Sequence, residues 1–190
     1  MRADNVTFAM TRAADEQNLY TGPQYGTCEL RAIYLGAICY FYYADTAAAG
    51  RAPGDVYTLK YDGRVCASAG LLVGTMSFAY SMRGSSIGTL RVVDATTGAV
   101  KWSLSGPQTT TNYGPDSWMN ATTQVHAGAF RFEYVRGADW ESMAAVTDVF
   151  VGCVRAPPPA PPAAPPAPPS PPAPPSAPPS LPPPPSPPPP

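Results

Sequence analysis

Thr75-Met76-Ser77-Phe78-Ala79-Tyr80-Ser81-Met82 sets a large residue at every second position and a small one between. A period of two is the spacing at which side chains alternate across a pleated sheet, so one face of this segment packs and the other meets water. The pattern returns at Leu90 and Val92, and at Val100, Trp102 and Leu104 against Lys101, Ser103 and Ser105. It appears again at Phe130, Phe132 and Tyr134 against Arg131 and Glu133. Turn-forming clusters at 84–88, 95–98, 106–114 and 137–139 separate these runs, supplying positive φ or side chains that bond their own backbone. Short strands at this spacing predict an all-β fold, an antiparallel β-sandwich. No segment carries a convincing helical period; residues 12–18 are suitable in composition, but seven residues do not offset helix nucleation, and they read as loop.

The composition changes abruptly further along. Of 27 prolines, 23 fall in 157–190, where proline fixes φ, removes the backbone donor and restricts the residue before it. Neither helix nor sheet is open to such a segment. Disorder or polyproline II remains, and at ~3.1 Å per residue a straight polyproline II rod of this length reaches about 105 Å. The chain therefore reads as a sandwich domain over 1–155 and a proline-rich stalk over 156–190.

A net charge of −1 gives no electrostatic reason to bind nucleic acid or an anionic membrane. The longest apolar stretches, 37–44 and 70–73, fall far short of the ~20 residues that span a bilayer, so no direct membrane insertion is expected. Met-Arg-Ala-Asp-Asn-Val-Thr-Phe at 1–8 contains no apolar signal core, while later features point outside the cell, so the N-terminus reads as incomplete.

Cys28, Cys39, Cys66 and Cys153 contain no Cys-x-x-Cys pair, and a single histidine does not complete a zinc set. Two disulfides, and with them an oxidising compartment, are the expected use of four cysteines. Asn5-Val6-Thr7 and Asn120-Ala121-Thr122 are glycosylation sequons that lean the same way, Asn120 being expected in a surface loop. Gly84-Ser85-Ser86-Ile87-Gly88 matches the nucleophile elbow of hydrolases, but residues 89–94 read as a second strand where that elbow requires a helix. The segment is read as a hairpin loop, and His126, the one available base, as a turn residue. No zincin, phosphate-loop or dinucleotide fingerprint occurs, so no enzyme activity and no cofactor are assigned. Asp148 stands inside the apolar run 146–151 and is expected to be buried; hydrogen bonds to backbone are favoured over a metal, for which Asp148 is the sole, weak candidate. The run Tyr40-Phe41-Tyr42-Tyr43 reads as a strand covered on both faces, or one whose outer tyrosines serve a contact surface.

In order along the chain, Cys66, Met76-Ser77-Phe78-Ala79-Tyr80-Ser81-Met82-Arg83-Gly84 and Ile87-Gly88-Thr89-Leu90-Arg91-Val92 closely resemble the MAM domain. Trp102-Ser103-Leu104-Ser105-Gly106, Trp118, Phe130-Arg131-Phe132-Glu133-Tyr134, Ala145-Val146-Thr147-Asp148-Val149 and Cys153 are similar to its second half. Thr21-Gly22-Pro23 and Tyr42-Tyr43-Ala44-Asp45-Thr46 resemble its first half more weakly. The resemblance implies a jelly-roll-like sandwich, extracellular and concerned with adhesion or oligomerisation. It implies that Cys66 pairs with Cys153, which leaves Cys28 and Cys39 for each other by elimination. The family's opening cysteine-containing strand has no counterpart before Met1, so the resemblance implies a domain short by about one strand. Thr147-Asp148 stands where some members carry an acidic pair associated with a cation, and losing one carboxylate weakens the case for calcium. The Ser-Pro repeats, as at Ser170-Pro171-Pro172 and Ser186 onward, resemble hydroxyproline-rich glycoproteins of plant and green-algal matrices, implying hydroxylated prolines.

The expectation is a non-catalytic adhesion or matrix module, extracellular or on the cell surface, meeting an extracellular protein or glycan, or itself, from a rigid spacer. The alternative is an accessory MAM domain of a larger secreted or membrane-bound enzyme such as a metalloprotease. A scaffold inside the cell, offering the tail to SH3-type domains, is disfavoured because no Lys or Arg follows Arg155 to anchor such a ligand.

Overall fold

The computed structural model describes residues 6–7, 9–12, 22–23, 27, 40–110 and 115–157. The chain divides after Pro157, and the proline-rich segment beyond it lies outside the described residues, as do Asn5, Cys28 and Cys39.

Among the described residues there are ten strands: β1 (Val6–Thr7), β2 (Ala9–Arg12), β3 (Tyr40–Tyr43), β4 (Val56–Tyr61), β5 (Leu72–Met82), β6 (Thr89–Asp94), β7 (Val100–Ser105), β8 (Met119–Ala127), β9 (Phe130–Val135) and β10 (Ala144–Val154). They form two sheets, β1-β4-β9-β6-β7 and β2-β3-β10-β5-β8. From β3 onward the chain changes sheet at each connection except β6–β7, and the eight strands β3–β10 take the order of a jelly roll. The fold is an antiparallel β-sandwich, with one parallel pair, β1 on β4, at the border of the first sheet.

The large residues read as the packing face are the ones observed there, but the other face of β5 is partly open only at Thr75 and Ser77: Ala79 and Ser81 are buried, Ala79 in a second cluster with Phe41, Trp118 and Ala145. Met76, Phe78, Tyr80 and Met82 of β5 meet Leu90 and Val92 of β6 and Phe130, Phe132 and Tyr134 of β9 between the sheets, with Trp102 and Leu104 against them. Aromatic edges carry much of this core: Phe78 lies 5.0 Å from Phe132 and 5.2 Å from Trp102, ring centre to ring centre, both edge to face. Val100 departs from the expected packing face and is exposed. The register slips between Val92 and Val93, pairing Trp102 with Val92 but Val100 with Val93, so a bulge at Lys101 turns Val100 to the other side.

Other expectations are corrected. The loop 84–88 is not a hairpin, because β5 and β6 belong to different sheets; alternation reports which side of a strand is buried, not which sheet holds it. A short helix, α1 (Arg64–Ala67), was not expected, and it places Cys66. Its N-cap, Gly63, has φ 75°, and a Cβ there would stand 1.7 Å from the Gly128 carbonyl oxygen. Gly63→Ala should cost about 1–2 kcal/mol for the left-handed backbone and more for the backbone clash. Gly54→Ala, at φ 83° with open space around it, should incur only the first cost. Urea unfolding of the two variants gives the difference, and equal losses would show that the Gly63–Gly128 approach is not tight.

Tyr57 and Tyr134 tie loops to this core. The Tyr57 hydroxyl donates to the Asp45 carbonyl at 2.9 Å, and that of Tyr134 accepts from the Gly88 amide at 2.9 Å and pairs with Ser142 at 2.6 Å. Burial pushes the Tyr57 phenol up to about 12, against the opposing pull of the Arg51 and Arg136 guanidiniums, and burial raises Tyr134 as well. An unfolded tyrosine ionises near 10, so between that pH and about 12 the unfolded chain releases protons that the folded one keeps. Their stabilisation is complete below about pH 10 and falls as pH rises towards 12. Denaturant titrations from pH 8.5 upward should show this decline, and Tyr57→Phe should flatten it; an unchanged slope would refute the assignment.

Candidate functional site

The sequence-derived site residues fall in separate places. Cys66 is bonded to Cys153, joining α1 to β10 across a sequence separation of 87, with Cα atoms 5.4 Å apart. This is the pairing that the family resemblance implied. Asn120 is exposed, but it lies within β8, opposite Ala79, rather than in the expected loop. Residues 119–122 lack a clear alternation, so sequence could not place the start of that strand.

Asp148 is exposed, not buried, which corrects the expectation for this strand. Between Thr147 and Phe150 the pairing of β10 with β5 slips, and Asp148 takes φ 49°, so the alternation breaks and the carboxylate leaves the sheet. It accepts a 2.6 Å hydrogen bond from the Thr27 hydroxyl, a side-chain partner rather than the expected backbone one. Among the described residues no group of three His, Cys, Asp or Glu stands together as a metal site, and no helix is long and apolar enough to cross a membrane.

The serines of the 84–88 loop have carboxylate partners: Ser85 donates to Glu141 at 2.5 Å, and Ser86 to Asp139. His126 lies within β8, with φ 47°, rather than in the expected turn, and flanks the start of β5, whereas the serines follow its end. At ~3.3 Å per residue the length of that strand separates them by roughly 30 Å. His126 therefore does not serve Ser85 or Ser86 as a base.

Two surfaces remain with features that could meet a ligand. Between the sheets, Tyr42, Leu59, Tyr61, Phe130, Phe132 and Val149, with Lys60, line a mainly apolar pocket of about 170 Å3. The Tyr61 hydroxyl is shielded from water and has no hydrogen-bond partner there. Tyr40 and Tyr42 are 48 % and 38 % exposed, so the strand is not covered on both faces, while Phe41 is buried against Trp118, 5.5 Å away.

The second surface is the outer face of β4, β9 and β6. Since Tyr57, Leu59, Phe130, Phe132 and Tyr134 point inward, Thr58, Lys60, Arg131 and Glu133 share the opposite face, and the register sets Thr58 beside Glu133 and Lys60 beside Arg131. Arg91 of β6 stands opposite Glu133 on its other side. Glu133 accepts from Arg131 Nε at 2.6 Å and from Arg91 Nε at 2.7 Å. Burial raises the Glu133 carboxyl, but these two guanidiniums outweigh it and hold the group below the usual carboxylate range. Thr58, Lys60, Ala95, Arg131 and Glu133 line a polar pocket of about 290 Å3. Sequence reasoning missed this group because three strands, distant along the chain, bring its members together; only the exposed phase of each strand's alternation hinted at it.

Fold and bridge together define a disulfide-linked jelly-roll β-sandwich. No family model matches the chain, and no curated protein matches it. Among solved structures it is similar to CsCBM6-3 from Clostridium stercorarium in complex with cellobiose, at 11 % identity and a TM-score of 0.34 over 78 % of this chain and 97 % of that one. It is similar to a family 6 carbohydrate-binding module studied by binding sub-site dissection, at 11 % and 0.35 over 77 % and 95 %. It is also similar to a glycoside hydrolase family 43 arabinoxylan arabinofuranohydrolase from Bacillus subtilis in complex with cellotetraose, at 14 % and 0.30 over 76 % of this chain but 27 % of that one. At this overlap the likenesses assign no function, and the sandwich is defined by its own strand order.

Proposed function

We propose that the chain is a non-catalytic extracellular contact module of the MAM type, carried on a proline-rich spacer and meeting a protein or glycan of the extracellular matrix. The observation that carries this reading is the outer face of β4 and β9. There Lys60 and Arg131 stand directly opposite one another over an open polar pocket. Like charges paired across strands weaken a sheet, so the arrangement serves recognition better than it serves the fold. The Cys66–Cys153 bridge supports an oxidising compartment, and the exposed Asn120 is open to glycosylation there. The jelly-roll order is the one that the MAM resemblance implies. The spacer, with hydroxylated prolines, belongs to the same proposal.

The test is direct. Immobilised full-length chain is exposed to matrix polysaccharide and matrix protein fractions, and the free chain is followed by sedimentation velocity for self-association. Reversible capture of a fraction, or concentration-dependent dimers, is expected. A monomer that retains nothing would overturn the proposal.

A further inference from the structure

The pocket on the outer face of β4 and β9 points to a particular chemistry, an inference that rests on the contact-module reading above. Glu133 lies two pairs along from the Lys60–Arg131 pair, the next position on that face, but its two oxygens are engaged, Oε1 by Arg131 and Oε2 by Arg91. Lys60 is exposed and makes no ion pair among the described residues. Both guanidiniums hold Glu133 through Nε, and each carries Nη donors besides. Lys60 and Arg131 of the pocket lining, with Arg91 beside it on β6, thus stand around one carboxylate, a local excess of two positive charges on a chain whose net charge is −1. Thr58 and Glu133, 7 % and 8 % exposed, supply a floor with acceptor oxygens.

Such a site is rich in charged donors and poor in free carboxylates, so it selects an anion. Guanidinium and ammonium groups bond carboxylates through short, charge-assisted hydrogen bonds, and hydroxyls beside the carboxylate would reach the remaining lone pairs of Glu133 and Thr58. An extended acidic peptide would bind best at a sheet edge, where backbone groups are open. Here β9 and β6 are interior strands and β4 pairs with β1 at Tyr57 and Thr58, so at Glu133, Arg131 and Arg91 only side chains are on offer. Lys60 and Arg131 are paired across strands about 5 Å apart, and Arg91 follows on the next strand, two positions along, opposite Glu133, a diagonal run of cations that suits a linear polymer carrying carboxylates and hydroxyls at short intervals. We infer that this pocket binds the carboxylates of an acidic polysaccharide.

Affinity electrophoresis and calorimetry of the full-length chain with polygalacturonate test this, with dextran as the neutral polymer and polyglutamate as the acidic polypeptide. Polygalacturonate should bind, and added salt should weaken it. Lys60→Glu should reduce affinity at least about tenfold, the equivalent of one charge-assisted hydrogen bond. The same change replaces a like-charged cross-strand pair by an opposite one, so it should raise the thermal midpoint. Lys60→Gln should weaken binding without a loss of fold. Binding that survives both substitutions, or polyglutamate binding as tightly as polygalacturonate, would overturn the inference. Retention of dextran or of a matrix protein, undisturbed by Lys60→Glu, would do so while leaving the contact module standing. A chain that retains none of these probes and no matrix fraction would remove both.

Discussion

Replacing Cys66 and Cys153 together by alanine is expected to lower the stability of the sandwich by about 4–5 kcal/mol. The bridge closes a loop with a sequence separation of 87, and the chain-entropy model assigns a denatured-state constraint of that size to a loop so long. The loop runs from α1 to β10 and contains β5 to β9, so without the bridge most of the jelly roll must be closed by packing alone. Cys66 is fully buried in the core, and removing its sulfur also takes contacts from Val73 and its neighbours. Urea unfolding of the double variant against the parent measures the loss. A loss below about 1 kcal/mol would mean that the unfolded chain is already compact between these points. The double variant is preferable to a reductant, because thiol reagents act on every cysteine in the chain.

Truncating Phe132 to alanine is expected to cost about 3–5 kcal/mol, the range for removing a buried aromatic ring. Phe132 lies on the central part of β9, 5.0 Å from Phe78 and 5.8 Å from Phe130, both edge to face. Phe78 in turn meets Trp102 at 5.2 Å and Tyr80 at 6.0 Å, so one ring connects β9 with β5 and, through it, β7. Close-packed strands flank the ring on both sides, and their ladders restrict collapse into the void. Phe132→Leu should therefore lose markedly less than Phe132→Ala in the same denaturant titration. Equal losses would show that edge-to-face geometry, rather than filled volume, sets the energy.

Several elements were legible before any coordinates. Thr89–Asp94 appears at the limits read from its alternation, and the Asp94 carboxylate accepts from the Thr96 and Thr97 amides in the turn that follows. That is the self-capping expected of an Asp at a turn. Core residues of β5, β6 and β9 were legible for the same reason: burial on one side of a strand leaves a period of two, and that signal is local. Val100 and Asp148 were misplaced because a bulge inserts one residue and reverses the phase, and nothing in the neighbouring residues marks where it falls. α1 was missed because a single turn of helix depends on its surroundings rather than on its own composition.

What the chain announces by itself is its class: alternating strands, a cysteine set consistent with bridges, and a terminal segment whose prolines exclude helix and sheet. Those are properties of neighbouring residues, set by backbone sterics and by the side each side chain takes. Assignment of strands to sheets, the crossover at 84–88 and the pairing of Lys60 with Arg131 and of Arg91 with Glu133 came only with the folded structure. They depend on hydrogen-bond register between segments up to 104 positions apart, as Tyr42 is from its partner Val146, and register is a choice made by the whole core at once. The donor-rich pocket on the outer face is a product of that choice.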